Sequence, residues 1–455
     1  MNIIIVGCGK VGLELADQLS AEGHAVTMMD TNSQLMKTAL GPLDVQGVVG
    51  NGTSYRAQME AGILEADLLI AVTDIDETSL LSCLIAKKAG NCQTIARVRD
   101  PSYFEEIRFI KEELGLSMAI NPDRAAAAYI ARLIQIPSAM EIDSFAKGRV
   151  NLVRFQVPSD SPLIGMPLKD ISGRSGVEML VCMIERNGEV IIPDGNRSIE
   201  QGDALWIVVN LPRIQKMFRV FGVRSHGIKN VMIAGGGRVA FYLAQSLIRS
   251  KIRVKLIEVN AAKCRRLSEE LPEAEIVCGD ATDEQLLHEE GIEDTDAFVS
   301  LTNIDEENIM LSLYAQKVSD AKRITKISRI TFEEVINNLP LGTVVCPRTI
   351  TTERILRYVR SMENASDSNV ETLYHLAGDR AEALEFIVRD NAQTRRMVDV
   401  PLMELKLKSD LLICCINRGG VIITPGGRDT LQIGDTVIVV TTHKGLRDLT
   451  DILKD

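Results

Sequence analysis

No Cys-x-x-Cys pair occurs among the nine cysteines (Cys8, Cys83, Cys92, Cys182, Cys264, Cys278, Cys346, Cys414 and Cys415). The spacing of a zinc site or a thioredoxin-like centre is therefore missing. Most of these cysteines sit inside apolar runs, where free cysteine acts as a small hydrophobe, and a reducing compartment is expected. A basic excess is missing too: 51 Lys and Arg stand against 62 Asp and Glu, for a net charge of −11. That speaks against general nucleic-acid binding, which wants a basic face. No run approaches the roughly 18 to 20 apolar residues of a membrane-spanning helix, so any membrane role is expected to run through a partner. The opening MNIIIVGCGK lacks the basic start and the length of a signal peptide. Only five histidines occur, His24, His226, His288, His375 and His443.

What is present is ordinary for a globular protein: 45% hydrophobic and 25% charged residues. At roughly 150 residues per domain the 455 residues suggest about three domains, and four small ones also fit.

Self-similarity organises the whole chain. IIIVGCGKVG at Ile3 to Gly12 returns as VMIAGGGRVA at Val231 to Ala240. TDIDETSLLSCLIAKK from Thr73 returns as TNIDEENIMLSLYAQK from Thr302, and GNGTS from Gly50 as GDATD from Gly279. NPDRAAAAYIARLI from Asn121 meets CPRTITTERILRYV from Cys346. The stretch IERNGEVIIPDGNRSIEQGDALWIVV from Ile184 matches INRGGVIITPGGRDTLQIGDTVIVV from Ile416. The order is A-B-A′-B′, with expected domains at residues 1–137, 138–225, 228–362 and 370–455.

Each A copy alternates short apolar strands with amphipathic helices, which predicts an α/β fold: a doubly wound, Rossmann-like parallel sheet covered on both faces. Each B copy reads as a small, β-rich α/β domain. Its turns are expected at Pro193-Asp194-Gly195 and Gly202-Asp203, and at Pro425-Gly426-Gly427 and Gly434-Asp435.

In both A copies a glycine loop follows an apolar strand and opens a helix, and an acid ends the next strand roughly 20 residues on, as a dinucleotide fingerprint requires. Gly7 permits the tight turn, Gly9 lets the pyrophosphate approach the backbone, and Gly12 lets helix and strand pack. Gly235, Gly237 and Ala240 take these roles in the second copy, alanine being an allowed third residue. The helix N-terminus favours the pyrophosphate. Asp30 and Glu258 can accept both ribose hydroxyls and would repel a 2′-phosphate, so NAD(H) is expected over NADP(H). Lys10 and Arg238 either reach phosphates or are solvated helix-start charges. Cys8 reads as a filler, not a nucleophile.

Thr73 and Asp74, and Thr302 and Asn303, lie at the carboxyl ends of fourth strands, where ligands of open α/β sheets sit; helix capping is the competing role. Arg97 and Lys326 are charges inside apolar fifth strands and need a partner, either a nucleotide or a buried carboxylate. Thr53, Asp280 and Thr282 follow the third strands and are expected along the adenine side or in a plain loop. No histidine recurs between the copies, and the B copies repeat turn residues and apolar strands, not a triad, a metal set or a carboxylate pair. That suits folding and dimerisation better than chemistry. An NAD-dependent oxidoreductase with a duplicated cofactor domain, and a scaffold unrelated to transport, are the alternatives.

The order A-B-A′-B′, with GCGKVG and Asp30 and then GGGRVA and Glu258, resembles the NAD-binding peripheral subunits of Trk-type potassium uptake systems. The A copies resemble RCK (or KTN) N-domains and the B copies RCK C-domains, over essentially the whole chain. The resemblance implies a non-enzymatic regulatory subunit on the cytoplasmic face of the membrane. It implies docking on a Trk-type pore subunit, homo-oligomerisation into a gating ring, expected to be a tetramer, and binding of NAD(H), with ATP or ADP in some members. It places nucleotide contacts at Gly7, Cys8, Gly9, Lys10 and Val11, at Asp30, Thr73, Asp74 and Arg97. In the second copy it places them at Gly235, Gly236, Gly237, Arg238 and Val239, at Glu258, Asn303 and Lys326. Asn51 stands where the second copy has Asp280, and Ala240 where the first has Gly12, which leaves open whether both sites take the same ligand.

Overall fold

The computed structural model describes residues 1–41, 43–136, 138–145, 150–176, 179–209, 214–222, 227–328, 335–336, 339–363, 370–377 and 380–454. His226 and most of the expected linker before residue 370 lie outside them. Two compact units form, one from residues 1–131 with 229–356, the other from 132–228 with 357–455. Like copies thus pair with like: A with A′, and B with B′.

The first copy contributes β1 (Asn2–Val6), β2 (Ala25–Asp30), β3 (Gln46–Val49), β4 (Leu68–Ala71), β5 (Gln93–Arg97) and β6 (Met118–Ile120). They form one sheet of order β3-β2-β1-β4-β5-β6 with every pairing parallel. β4 is buried at every residue and β1 at all but its first, which is why these strands read as unbroken apolar runs. Helix Lys10–Ala21 buries Gly12, Leu15, Ala16 and Leu19, the spacing of one helical face. The crevice where strand order reverses lies between β1 and β4.

The first small domain holds β7 (Glu141–Phe145), β8 (Val150–Gln156), β9 (Leu180–Arg186), β10 (Glu189–Ile191) and β11 (Ala204–Val209), all antiparallel, in the order β10-β9-β11-β8-β7. The second copy repeats the plan. β12 (Asn230–Ala234), β13 (Arg253–Glu258), β14 (Glu275–Cys278), β15 (Ala297–Ser300), β16 (Lys322–Lys326) and β17 (Thr343–Val345) form a parallel sheet of order β14-β13-β12-β15-β16-β17. The second small sheet, β18 (Val370–Leu376), β19 (Ala381–Ile387), β20 (Leu411–Arg418), β21 (Val421–Ile423) and β22 (Thr436–Thr441), is antiparallel.

The hairpins of the small domains do not close where expected. β9 and β10 are joined by Asn187 and Gly188 (φ 52° and 82°), and β20 and β21 by Gly419 and Gly420 (φ 56° and 93°). Two consecutive positive φ values match the right-handed twist of the flanking strands, which is why Asn-Gly and Gly-Gly serve here. The Pro193-Asp194-Gly195 segment is instead the loop after β10, where Asp194 accepts the Asn196 and Arg197 N–H groups. The Gly-Asp turns are pinned from beneath. Asp203, fully buried, takes Arg186 on both oxygens at 2.8 and 2.9 Å, and Asp435 takes Arg418 at 2.9 and 2.8 Å. Both small domains share one core around Trp206, Phe145, Tyr374, Cys182 and Cys414. Arg380 bonds Glu185 across their junction.

Candidate functional site at the paired glycine loops

After β1 the chain turns at Gly7 (φ 109°), where a Cβ would press on the Val72 carbonyl at 3.1 Å. A Cβ on Gly12 would fall 1.9 Å from the Gly7 carbonyl oxygen, so helix Lys10–Ala21 rests against the turn itself. A Cβ on Gly9 would meet nothing within 4 Å. Gly9 is also the helix N-cap and supplies no side-chain cap, so the first-turn N–H groups remain available to an anion. The second loop repeats this, with Gly235 at φ 102° and open space beside Gly237. That open cradle fits a pyrophosphate.

The strand-end acids hold the loops in shape. Asp30 accepts the Cys8 N–H at 2.7 Å and the Asn32 N–H at 2.9 Å, one on each oxygen. Glu258 accepts the Gly236 N–H at 2.9 Å and the Asn260 N–H at 2.8 Å. A carboxylate offers about four lone-pair positions, so each retains acceptor capacity for ribose hydroxyls. The loops differ in a compensated way. Glu258 is one methylene longer than Asp30, and a Cβ on Gly236 would lie 2.9 Å from its Oε2 and 2.7 Å from Leu267. The shorter Asp30 leaves room for Cys8, which is buried against the Met36 sulfur at 2.9 Å. Burial and the Asp30 charge push the Cys8 thiol up to about 12, which suits a filler.

At the fourth-strand ends, neither Thr73 nor Asp74 caps the next helix; its N-cap is Ile75, without a side-chain cap bond. Arg97, nearly buried on β5, donates to the Thr73 carbonyl and to Asp74 Oδ1 at 2.9 Å. Asp74 is almost fully exposed, so Arg97 meets a rim carboxylate, not a buried one. Its Nε has no hydrogen-bond partner among the described residues, although it lines the cleft. The second copy solves the same problem differently. Asn308, fully buried, donates to the carbonyls of Thr302 at 3.1 Å and Lys326 at 3.0 Å and accepts the Thr302 N–H at 2.8 Å. Ser79 stands at the matching position and bonds Thr73 Oγ1 at 2.8 Å. Arg97 with Ser79 and Lys326 with Asn308 are thus alternative sets. Burial lowers the Lys326 pKa, against the opposing charges of Asp305 and Asp123.

The two loops open into one cleft of about 1100 Å³, built from both Rossmann copies. Gly7, Gly9, Lys10, Val11, Asp30, Thr73, Asp74 and Arg97 line it from the first copy. Gly236, Gly237, Arg238, Val239, Asn303 and Lys326 line it from the second. Eight cationic residues line it against three acidic ones, a balance suited to phosphate. A smaller pocket of about 260 Å³ gathers Gly235, Glu258, Asp280, Thr282, Thr302 and Asn303. Asp280 there accepts the N–H and hydroxyl of Thr282, bonds that lower its pKa. Cys8, Gly12 and Thr53 line neither space; Thr53 donates its N–H to Asn51, and Gly50, Asn51 and Gly52 reach the cleft instead. Arg238 remains partly exposed at the cleft, and its Nε donates to Asp123 of the first copy at 2.9 Å.

Sequence reading missed the residues that join the copies. Arg348 pairs with Glu14, Asn121 with Tyr242 at 3.4 Å, and Asp123 with Arg99 as well as Arg238. Asp76 and Asp305, the fourth residues of the repeated TDIDE and TNIDE stretches, were missed too. They accept N–H groups of Arg99 and Asp100, and of Ser328, at 2.7 to 2.9 Å, stapling each fifth-strand exit to the preceding helix. The repeat held a signal: it aligns Asp123 with Arg348, opposite charges at one position.

The TrkA-N domain model matches residues 3–122 and 231–347, and the TrkA-C domain model matches residues 152–222 and 389–454. The Trk system potassium uptake protein TrkA of Haemophilus influenzae is 32% identical over 448 residues, covering 98% of this chain and 96% of that protein. The TrkA homolog of Archaeoglobus fulgidus is 31% identical over 454 residues, covering 100% of each chain. The GsuK channel shares the fold with a TM-score of 0.64 at 17% identity, over 97% of this chain and 76% of that one. The tandem loops, the doubly wound sheets and the full-length match agree, and the chain belongs to the TrkA family of Trk system potassium uptake proteins.

Proposed function

We propose that this chain is the nucleotide-sensing regulatory subunit of a Trk-type potassium uptake system, working on the cytoplasmic face of the membrane and not as an enzyme. It binds NAD(H), or an adenine nucleotide, at each glycine loop. The observation that carries this reading is the convergence of both loops on one cleft whose walls come from both Rossmann copies. A ligand there touches both copies at once, so its binding energy depends on how they are placed. Such differential affinity is what lets a ligand shift a conformational equilibrium. Gly9 and Gly237 supply backbone N–H groups, Asp30 and Glu258 take the ribose hydroxyls, and Arg97 and Lys326 supply charge at the strand ends. No described helix is long and apolar enough to cross a membrane, so the work is delivered to a partner. That partner is a Trk-type pore subunit, engaged by a ring of copies, with a tetramer as the expected assembly. GsuK, of the same fold, has been solved bound to NAD and bound to ADP.

The test mixes purified chain with a detergent-solubilised Trk-type pore subunit, with and without NADH, NAD and ATP, and follows complex formation by size exclusion. A complex that responds to nucleotide, and responds less with Asp30→Ala and Glu258→Ala, is expected. Intact nucleotide binding with no complex under any condition would remove the transport role.

A further inference from the structure

Two thiols meet at the edge of the second Rossmann sheet. Cys264 is buried on helix Ala261–Glu270, and Cys278 ends the edge strand β14, exposed. Both converge on one residue, Glu258. The Cys264 thiol donates to the Glu258 carbonyl at 3.1 Å, and the Gly279 N–H, next in the chain to Cys278, donates to the same oxygen at 3.1 Å. Cys278 is also the register partner of Glu258 across β13 and β14. The two sulfurs are thereby in hydrogen-bond contact, and burial, with Cys278 beside it, pushes the Cys264 thiol up to about 11. The first copy lacks the pair. Met36 stands at the place of Cys264, and Val49, the register partner of Asp30, at the place of Cys278.

We propose that Cys264 and Cys278 are a redox modification site: a low-molecular-weight disulfide converts them to one reversible intrachain disulfide that clamps helix Ala261–Glu270 to β14 beside Glu258. Cys278, the exposed member, meets the oxidant first. Its thiolate attacks one sulfur of the oxidant and expels the other half as a thiolate, which takes up a proton. Cys264 then gives its proton to solvent, attacks the Cys278 sulfur and expels the second half. The cysteine pair loses two electrons and two protons, and the oxidant is reduced to two thiols. A reducing compartment reverses the bond, as suits a transient redox-sensing disulfide. Oxidation removes the S–H that the Glu258 carbonyl accepts and ties together the elements on either side of it. Glu258 holds the second loop through the Gly236 N–H, and Gly279, Asp280 and Thr282 line the smaller pocket with it. The oxidised clamp therefore alters binding at the second loop and leaves the first unchanged. The bond itself stands apart from the nucleotide reading above; its effect on the second loop rests on that reading.

The reduced full-length chain is treated with 2-hydroxyethyl disulfide, alkylated and peptide-mapped. The wild type should lose two of its nine thiols, the joined peptides should carry Cys264 and Cys278, and dithiothreitol should restore both. Cys264→Ala should stop at the first step, with one hydroxyethylthio group on Cys278. Cys278→Ser, a change at the surface, should leave its remaining cysteines reduced. Calorimetric titration with NAD then compares reduced and oxidised chains. One of two equivalents should shift in affinity by about threefold or more, the other should hold, and Cys278→Ser should show no shift with oxidant. No reaction, a lasting mixed disulfide on wild-type Cys278, or a bridge between other cysteines would overturn the site. The expected bridge with both NAD affinities unchanged would overturn its regulatory effect. Those results leave the nucleotide reading standing, whereas the bridge with no NAD binding in either state would overturn that reading, and the regulatory effect with it, but not the site.

Discussion

Replacing Gly12 by alanine adds a single methyl group, and the structure says where it goes: 1.9 Å from the Gly7 carbonyl oxygen. An unstrained carbon–oxygen contact needs well over 3 Å, roughly the floor for close contacts in packed interiors. The helix cannot back away freely, because Leu15, Ala16 and Leu19 on the same face are fully buried. The turn must therefore open, and overpacking of this kind costs about 1–3 kcal/mol. Moving the first-turn N–H groups off a phosphate forfeits a charge-assisted bond worth about 1.5–3 kcal/mol, or roughly ten- to a hundredfold in affinity. Position 240 is the internal control, since the second copy already carries alanine there. Ala240→Gly should cost the helix propensity of glycine and one buried methyl, about 1–2 kcal/mol together. Urea unfolding and calorimetric titration with NADH read both effects, and Gly12→Ala should weaken one of two nucleotide equivalents. An unchanged midpoint together with two unchanged equivalents would mean that the close approach is not what requires glycine at position 12.

Asp203→Ala should cost about 3 kcal/mol in denaturant unfolding, because it strands Arg186 beside a buried site; a loss under about 1 kcal/mol would refute the pinning role. A thiol reagent at mildly alkaline pH should label one site rapidly, Cys278, since the other eight cysteines are buried; rapid labelling of Cys8, whose thiol is pushed up to about 12, would contradict the packing. Burial raises the Glu185 pKa, but Arg380 and Arg154 outweigh it and leave it lowered overall. A lowered folded value means stabilisation that is present above the unfolded pKa of about 4.3 and is lost as pH falls through the folded one. The acid limb of the stability curve should therefore be shallower in Glu185→Gln than in wild type; superimposable limbs would remove Arg380–Glu185 as an acid-sensitive link.

The doubly wound parallel sheets and the loop glycines were legible because each follows from local pattern: unbroken apolar runs, helical spacing, and glycine where the backbone must turn. The junction between the copies was not. Asp123 reads alone as an ordinary first-turn acid, and its partners Arg99 and Arg238 lie 24 and 115 positions away. The division of labour at the Thr73 and Thr302 carbonyls was hidden similarly, since Arg97 and Asn308 do one job from different elements. Asn187-Gly188 was the stronger hairpin signal than the Pro-Asp-Gly stretch beside it, because only the former supplies two residues at positive φ.

A pair of identical subunits meeting at a two-fold axis cannot place an acid on one side and a base on the matching side; whatever one carries, the other carries too. Fusing the two halves into one chain lifts that constraint. The opposite charges at 123 and 348 are a choice that a symmetric homodimer does not have, and the two halves can diverge residue by residue while still lining one cleft. The fused chain can therefore set two unlike loops at one cleft, where a symmetric dimer would set two alike.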